Sequence, residues 1–284
     1  MSEIWTIGAI LKWTGQYFGE KGVDTPRLDA EVLLSHILGK DRLYLYTHFD
    51  QPLTPEELAL YRSHVKKRVM RQPVAYITGR KEFMGLEFTV NAAVLIPRPD
   101  TETLVETALE RLKSIDNPVI ADLGTGSGAI IISVLHILSQ ASGIAVDISP
   151  QALTVAKANA AHNRVEDRLI FKEGDLFLPL QGLRFDAVLS NPPYIPAAEI
   201  AGLAPEVRQE PRLALEGGND GLIYYRRLMA EADSYLNPAG FIAVEVGAGQ
   251  APAVAELARL QGFDHIELIK DIAGIERVVV ASRG

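Results

Sequence analysis

The tetrapeptide Asn191-Pro192-Pro193-Tyr194 puts two carbonyl acceptors, a stiff turn and an aromatic ring side by side. Asn191 offers a side-chain carbonyl and Pro192 a backbone carbonyl, and both can accept hydrogen bonds from a planar NH2 group. The proline after Asn191 restricts its backbone, and the Pro-Pro step stiffens the turn. Tyr194 can pack a flat substrate group against its ring. Amide nitrogen is a poor nucleophile because its lone pair is delocalised into the carbonyl. A site helps it by accepting its N–H bonds, aligning it with the group it must attack and stabilising the positive charge that grows on it. Asn191, Pro192 and Tyr194 are therefore the candidate catalytic residues. Asn191, Pro192, Pro193 and Tyr194 together form the candidate substrate site. No metal, serine triad or carboxylate nucleophile is required. A proline-rich loop that merely follows a strand is the plainer alternative.

A second constellation is Asp122-Leu123-Gly124-Thr125-Gly126-Ser127-Gly128, which follows an apolar run and opens a helical one. Glycines there permit a tight turn and let a ligand approach the backbone. The spacing is G-x-G-x-G, unlike the G-x-G-x-x-G that seats a pyrophosphate on a helix N-terminus. Asp147 closes the next apolar run, 19 residues after Gly128, where a carboxylate can accept hydrogen bonds from both ribose hydroxyls. Capping the helix after Ser149-Pro150 is its other possible use. A third run leads into Gly174-Asp175-Leu176-Phe177, placed to line an adenine, with either Leu176 or Phe177 against the ring. Three strand ends in this order point to a nucleoside-bearing cofactor.

These loops need a scaffold, and the pattern supplies one. Apolar runs at 119–123, 144–146, 169–171 and 187–189 read as buried strands, with helical stretches at 129–139 and 151–163 between the first three. Runs at 241–246, 266–269 and 277–281 add three more strands. Such alternation implies parallel strands joined by crossover helices, a doubly wound α/β domain. Its reactive loops belong at the carboxyl ends of the strands.

Upstream the pattern is helical. Thr54-Pro55-Glu56-Glu57 is a capping box with proline at the first helical position, followed by Leu58, Tyr61, Val65 and Val69 at helical spacing. Thr25-Pro26 opens another helix with Leu28, Val32 and Leu33 on its apolar side and Gly39 to end it. Residues 5–18 form a third. Phe83-Met84-Gly85-Leu86 and Phe88-Thr89-Val90 read as the strands of a hairpin. Leu95-Ile96-Pro97-Arg98-Pro99-Asp100 then makes a stiff connection, with Asp100 able to cap the helix that follows.

Composition narrows the classes. With no cysteine, disulfides and thiolate chemistry are excluded, and the six histidines show no metal-ligand spacing. The formal charge of −8 argues against a surface that attracts nucleic acid. Residues 61–81 reverse that sign locally, with Arg62, Lys66, Lys67, Arg68, Arg71, Arg80 and Lys81 and no acid. That stretch is either a solvated helix face or a docking patch for an acidic partner or RNA. Residues 1–5 lack the features of a signal peptide, and no apolar run is long enough to span a bilayer, so a cytoplasmic location without membrane contact is expected.

Taken together, these motifs resemble the HemK/PrmC family of protein-(glutamine-N5) methyltransferases. The resemblance runs along the chain: Asp29-Ala30-Glu31, Pro73 through Gly79, Ile96-Pro97-Arg98-Pro99-Asp100-Thr101-Glu102, the glycine loop, Ser190 through Tyr194, and Glu210-Pro211 with Gly217-Gly218. It implies a Rossmann-like class I methyltransferase domain over 100–284, a helical substrate-recognition domain over 1–75 and a hairpin-bearing linker over 76–99. It implies S-adenosyl-L-methionine as cofactor and S-adenosyl-L-homocysteine as product. The implied cofactor contacts are Gly124, Thr125, Gly126, Ser127, Gly128, Asp147, Asp175, Leu176 and Asn191. Some relatives carry an aromatic residue where this chain has Leu176. The implied substrate is the glutamine of the Gly-Gly-Gln motif in class-I peptide chain release factors, and the implied state is a monomer. Asn-Pro-Pro-Tyr is shared with adenine-N6 methyltransferases, so a nucleic-acid substrate, a ribosomal-protein glutamine, or a non-catalytic cofactor-fold module are the competing readings.

Overall fold

The computed structural model describes residues 5–284. The chain forms two compact units. One runs up to Gly79 and takes in Pro205–Gln209; the other comprises Arg80–Ala204 and Glu210–Gly284.

The first unit is helical: α1 (Ile7–Glu20), α2 (Pro26–Leu38), α3 (Arg42–Thr47), α4 (Pro55–Val69) and α5 (Val74–Thr78). Three of these starts carry a capping side chain. Thr6 Oγ1 accepts from Ala9 N at the head of α1, and Asp41 Oδ1 accepts from Tyr44 N at the head of α3. The capping box of α4 is complete, with Thr54 Oγ1 accepting from Glu57 N and Glu57 Oε2 accepting from Thr54 N. Gly39 ends α2 in the left-handed region. The short α3 and α5 lie in stretches where no helical period stands out. The core packs Ile7, Leu11 and Phe18 against Leu33, Leu34 and Tyr61.

Two expectations change here. Leu28 is exposed, and the buried side of α2 instead carries Asp29 and Glu31 beside Ala30, Leu33 and Leu34. The acids are tolerated because cations reach them: Arg42 donates to Glu31, and Arg68 Nε donates to Asp29 Oδ2 at 2.7 Å. The basic stretch, in turn, is not one patch. Arg68 is buried between Asp29 and Glu206, its Nη1 donating to Glu206 Oε1 at 2.7 Å. Arg71 also reaches Glu206 and donates to the carbonyls of Lys21 and Gly22. Arg62, Lys66 and Lys67 remain exposed.

The second unit opens with a hairpin, β1 (Arg80–Phe83) and β2 (Leu86–Thr89). Phe83 through Leu86 is thus the turn and its flanks rather than a strand. Met84 and Gly85 both take positive φ, 50° and 72°, as a two-residue primed turn demands. Then follow α6 (Glu102–Leu112), β3 (Val119–Leu123), α7 (Ala129–Ile137), β4 (Ser142–Asp147), α8 (Pro150–His162), β5 (Leu169–Glu173) and β6 (Phe185–Ser190). The chain ends with α9 (Ile223–Ala232), β7 (Leu236–Glu245), α10 (Ala251–Leu260), β8 (His265–Lys270) and β9 (Glu276–Ser282). Asp100 does not cap α6. Pro99 starts a 3-10 turn ahead of that helix, and the Asp100 carboxylate pairs with Arg277 at 2.8 Å.

The seven strands lie in the order β5-β4-β3-β6-β7-β9-β8, with β3 to β7 parallel and β9 antiparallel to both neighbours. Strand residues alternate between two cores. Ile120, Ala187, Leu189, Phe241 and Ala243 face α6 and α7. Ala121, Val188, Ile242 and Val244 face α9 and α10. Burial on both faces explains why these strands read as continuous apolar runs. From β3 the chain winds outward through β4 to β5, then returns to β6 on the other side of β3. That reversal makes the carboxyl ends of β3 and β6 the topological switch point, where open α/β sheets bind ligands.

Candidate active site

At the carboxyl end of β3, the glycine loop is tied down by backbone. Gly124 N and Thr125 N both donate to Val146 O at 2.9 Å, and Gly126 N donates to Asp147 Oδ2 at 2.8 Å. Gly124 and Gly126 hold φ of 73° and 56°, and a Cβ on either would meet nothing within 4 Å. Glycine is needed there for its backbone, not for want of room, and the two residues leave an open cradle. Gly128 differs. A Cβ there would lie 2.6 Å from Ile132 Cδ1, so this glycine allows close packing at the head of α7.

Asn159 of α8 organises this end from behind. It is fully buried, donates to Ser127 O at 2.8 Å and Thr89 O at 3.0 Å, and accepts from Thr89 N at 2.8 Å. The hairpin and the glycine loop are thereby held by one side chain. Asp147 accepts from Gly126 N with one oxygen and from Ser149 N, at 2.9 Å, with the other. It does not cap α8; Ser149 Oγ does that, accepting from Ala152 N. Burial raises the Asp147 pKa against the pull of those N–H groups. Below the loop, Asp122 is fully buried and accepts from Thr125 Oγ1 at 2.6 Å, while its Oδ1 has no partner among the described residues. Desolvation pushes its carboxyl up to about 7.

At the carboxyl end of β6, Ser190 Oγ donates to Leu123 O at 2.7 Å, clasping the two strands at the switch point. Asn191 follows, its Nδ2 donating to Thr101 Oγ1 at 3.1 Å. The loop beyond is braced by Gln250, whose Nε2 donates to Tyr194 O and whose Oε1 accepts from Gly247 N, both at 3.0 Å. Gly221 lies so close that a Cβ would sit 2.3 Å from Tyr194 O. Opposite, Glu210 accepts from Ile96 N at 3.0 Å and pairs with Arg98, joining Leu95 through Arg98 to the Glu210-Pro211 segment.

One cleft of about 230 Å³ joins these parts. Gly124, Thr125, Gly126, Ser127, Asp147, Asp175 and Leu176 line it, together with Asn191, Pro192 and Pro193. Gly128 and Tyr194 do not. The Tyr194 ring instead packs with the core near Gly247, and burial lifts its phenol to about 12. Leu176 enters the cleft with φ of 49°, whereas Phe177 is buried and stacks on Tyr235 with centroids 4.6 Å apart. Asp175 pairs with Arg227, another lining residue, at 2.8 Å.

Sequence comparison places the chain in a family. Residues 9–79 match the PrmC N-terminal domain, and residues 100–228 match the methyltransferase small domain. The release factor glutamine methyltransferase of Geobacter sulfurreducens is 48% identical over 98% of this chain and 96% of its own length. That of Moorella thermoacetica is 46% identical over 92% of this chain and 93% of its own. The chain belongs to the release factor glutamine methyltransferase family. Solved structures agree on the fold. The hMettl16 catalytic domain, bound to an RNA hairpin, superposes with a TM-score of 0.59 at 15% identity over 81% of this chain and 82% of its own. A methyltransferase from Pyrococcus furiosus gives 0.52 at 17% identity over 81% of this chain and all of its own.

Two residues near Asn191 come to notice only in the structure. Thr101 lies within the Pro-Arg-Pro-Asp-Thr-Glu stretch but gives no local sign of touching Asn191, 90 residues away. Glu245 ends β7 and is 2% exposed. Its one signal in the sequence is an acid set within the otherwise apolar run 241–246. Among the described residues no helix is long and apolar enough to cross a membrane, and no cluster could hold a metal ion.

Proposed function

We propose that this protein transfers a methyl group from S-adenosyl-L-methionine to the side-chain amide nitrogen of the glutamine in the Gly-Gly-Gln motif of peptide chain release factors. The observation that carries this reading is the orientation of Asn191. Its Nδ2 is engaged by Thr101, which leaves Oδ1 as an acceptor at the mouth of β6, beside the glycine cradle.

The residues suit the cofactor. The cradle at Gly124 and Gly126 admits a ligand against the backbone. Each Asp147 oxygen has one N–H partner, leaving lone pairs for two ribose hydroxyls. Leu176 presents an apolar surface for a base, and Asp175 adds a polar edge. When bound, the sulfonium supplies an electrophilic methyl group. Asn191 Oδ1 and Pro192 O would accept the two N–H bonds of the substrate amide, orient its nitrogen and stabilise the charge developing there. The stiff Pro192-Pro193 step fixes the acceptors in advance. Tyr194 shapes the loop from within the core.

A glutamine side chain offers little binding energy, so contacts remote from it must supply affinity and orientation. We assign that role to the helical unit, through the exposed Arg62, Lys66 and Lys67; Arg68 and Arg71 serve the unit's own ion pairs. Incubation of the protein with purified release factor and labelled cofactor, followed by mass mapping, tests the reaction; label on any residue other than that glutamine defeats the assignment. Charge reversal at Lys66 and Lys67 should raise KM for release factor by about three- to tenfold while sparing a short Gly-Gly-Gln peptide, as expected for exposed ion pairs. Equal effects on both substrates would return these lysines to the solvated surface.

A further inference from the structure

Glu245 is a buried acid that the transfer itself does not consume, and its Oε2 has no hydrogen-bond partner among the described residues. Such a group calls for a physical reason. Ser190 pairs with Val244 in the parallel β6–β7 register, which sets Glu245 alongside Asn191, and the Glu245 carboxyl interacts with the side chains of both Thr101 and Asn191. From the turn before α6, Asp100 repels its charge; from β9, Arg277 attracts it. Tyr194 faces it from the loop after β6. Tyr225 of α9 donates to its backbone carbonyl at 2.8 Å rather than to the carboxyl. Burial outweighs the favourable partners and raises the acid to about 7.

We propose that Glu245 is a positioning residue: through Thr101 it holds the Asn191 amide with Nδ2 turned away from the substrate and Oδ1 turned towards it. Asn191 Nδ2 donates to Thr101 Oγ1 at 3.1 Å. A threonine hydroxyl carries one proton, and with its oxygen accepting from Asn191 that proton is free to be offered to the neighbouring carboxylate. An anion at the far end sets the direction of the chain as Asn191 to Thr101 to Glu245. Were the amide turned over, it would present N–H to the substrate's own N–H, and neither could accept. Donation towards an anion also enriches Oδ1 in electron density, which favours the positive nitrogen of the transition state. Protonated Glu245 would compete for Thr101 Oγ1 as a donor, so the aligned state is the ionised one.

This inference rests on Asn191 as the amide acceptor, and the experiment separates the two. Single-turnover transfer to release factor, at saturating cofactor, is measured for the wild type, Thr101→Val, Thr101→Ser and Glu245→Gln. Thr101→Val should slow transfer about tenfold or more, the scale of one lost hydrogen bond, with cofactor affinity and KM unchanged. Thr101→Ser should restore the rate. The wild-type rate should climb as pH rises through about 7, and Glu245→Gln should lose that limb. A wild-type rate in folded Thr101→Val, or an unchanged limb in Glu245→Gln, overturns the proposal. The side-chain amide protons of Asn191, followed by nuclear magnetic resonance in the wild-type protein alone, should shift with the titration of Glu245. No such shift overturns the relay even if a variant fails to fold. Failure of the wild type to methylate release factor would instead overturn the functional reading.

Discussion

The two ends of the cleft are built from different materials. Around β3 and β4 the site is mostly backbone: N–H groups of Gly124, Thr125 and Gly126 tied to Val146 O and Asp147. Around β6 and β7 it is mostly side chains: the half-buried Asn191 and Gln250 and the buried Thr101 and Glu245. The first can hold a cofactor common to many reactions through short-range geometry. The second, in the proposed reading, has to discriminate one planar nitrogen, and its partners are brought from afar.

Substitutions sharpen the contrast. The largest effect is expected from Asn191→Ala, which removes a preorganised acceptor and should lower single-turnover transfer about a hundredfold or more. Near-normal transfer at saturating cofactor would move the chemistry away from the side-chain end. Next comes Asp147→Ala, which should weaken S-adenosyl-L-methionine by roughly 1.5–3 kcal/mol for charge-assisted bonds. Calorimetry on the folded variant reads this directly, and unchanged affinity would remove the ribose assignment. The transfer rate at saturation should suffer far less, because Asp147 belongs to the other end.

Each end also conceals one acid raised by burial to about 7, Asp122 behind the glycine loop and Glu245 behind Asn191. A carboxyl whose folded pKa is raised binds protons more tightly folded than unfolded. Its contribution to stability is therefore full below the unfolded pKa and is lost as pH rises through about 7. Stability should therefore fall as pH rises from mildly acidic to neutral. Asp122→Asn and Glu245→Gln should each flatten part of that slope in denaturant titrations. If neither does, the acids are better solvated than their burial implies. The smallest effect is expected for Tyr194→Phe, since the ring packs in the core and lies outside the cleft lining; transfer should stay within about threefold, the span of less than 1 kcal/mol.

Several features are legible in the chain alone. The capping box of α4, Gly39 at the end of α2 and the doubly wound strand pattern each follow from local chemistry or a simple period. The hairpin is legible but slipped, because Phe83 through Leu86 looks apolar enough for a strand. Met84 at positive φ is held by a distant partner, its N donating to Glu102 Oε1 at 2.9 Å. The basic stretch misleads in a similar way. Arg68 and Arg71 look like their exposed neighbours until Glu206, more than 130 residues later, is placed beside them.

What the sequence determined by itself was the set of loops and their order along the chain. Glycine spacing, paired prolines and apolar runs act through neighbouring residues, and any stretch of chain carries that information. Which loop faces which, and what stands behind each side chain, follows from packing between elements far apart in the chain. The tertiary structure set Gly128 and Tyr194 to packing, Leu176 to the cleft and Phe177 to the core, and it brought Thr101 and Glu245 to Asn191. A buried polar group is stable only where partners from other elements meet it, so its role is written in the packing of the sheet.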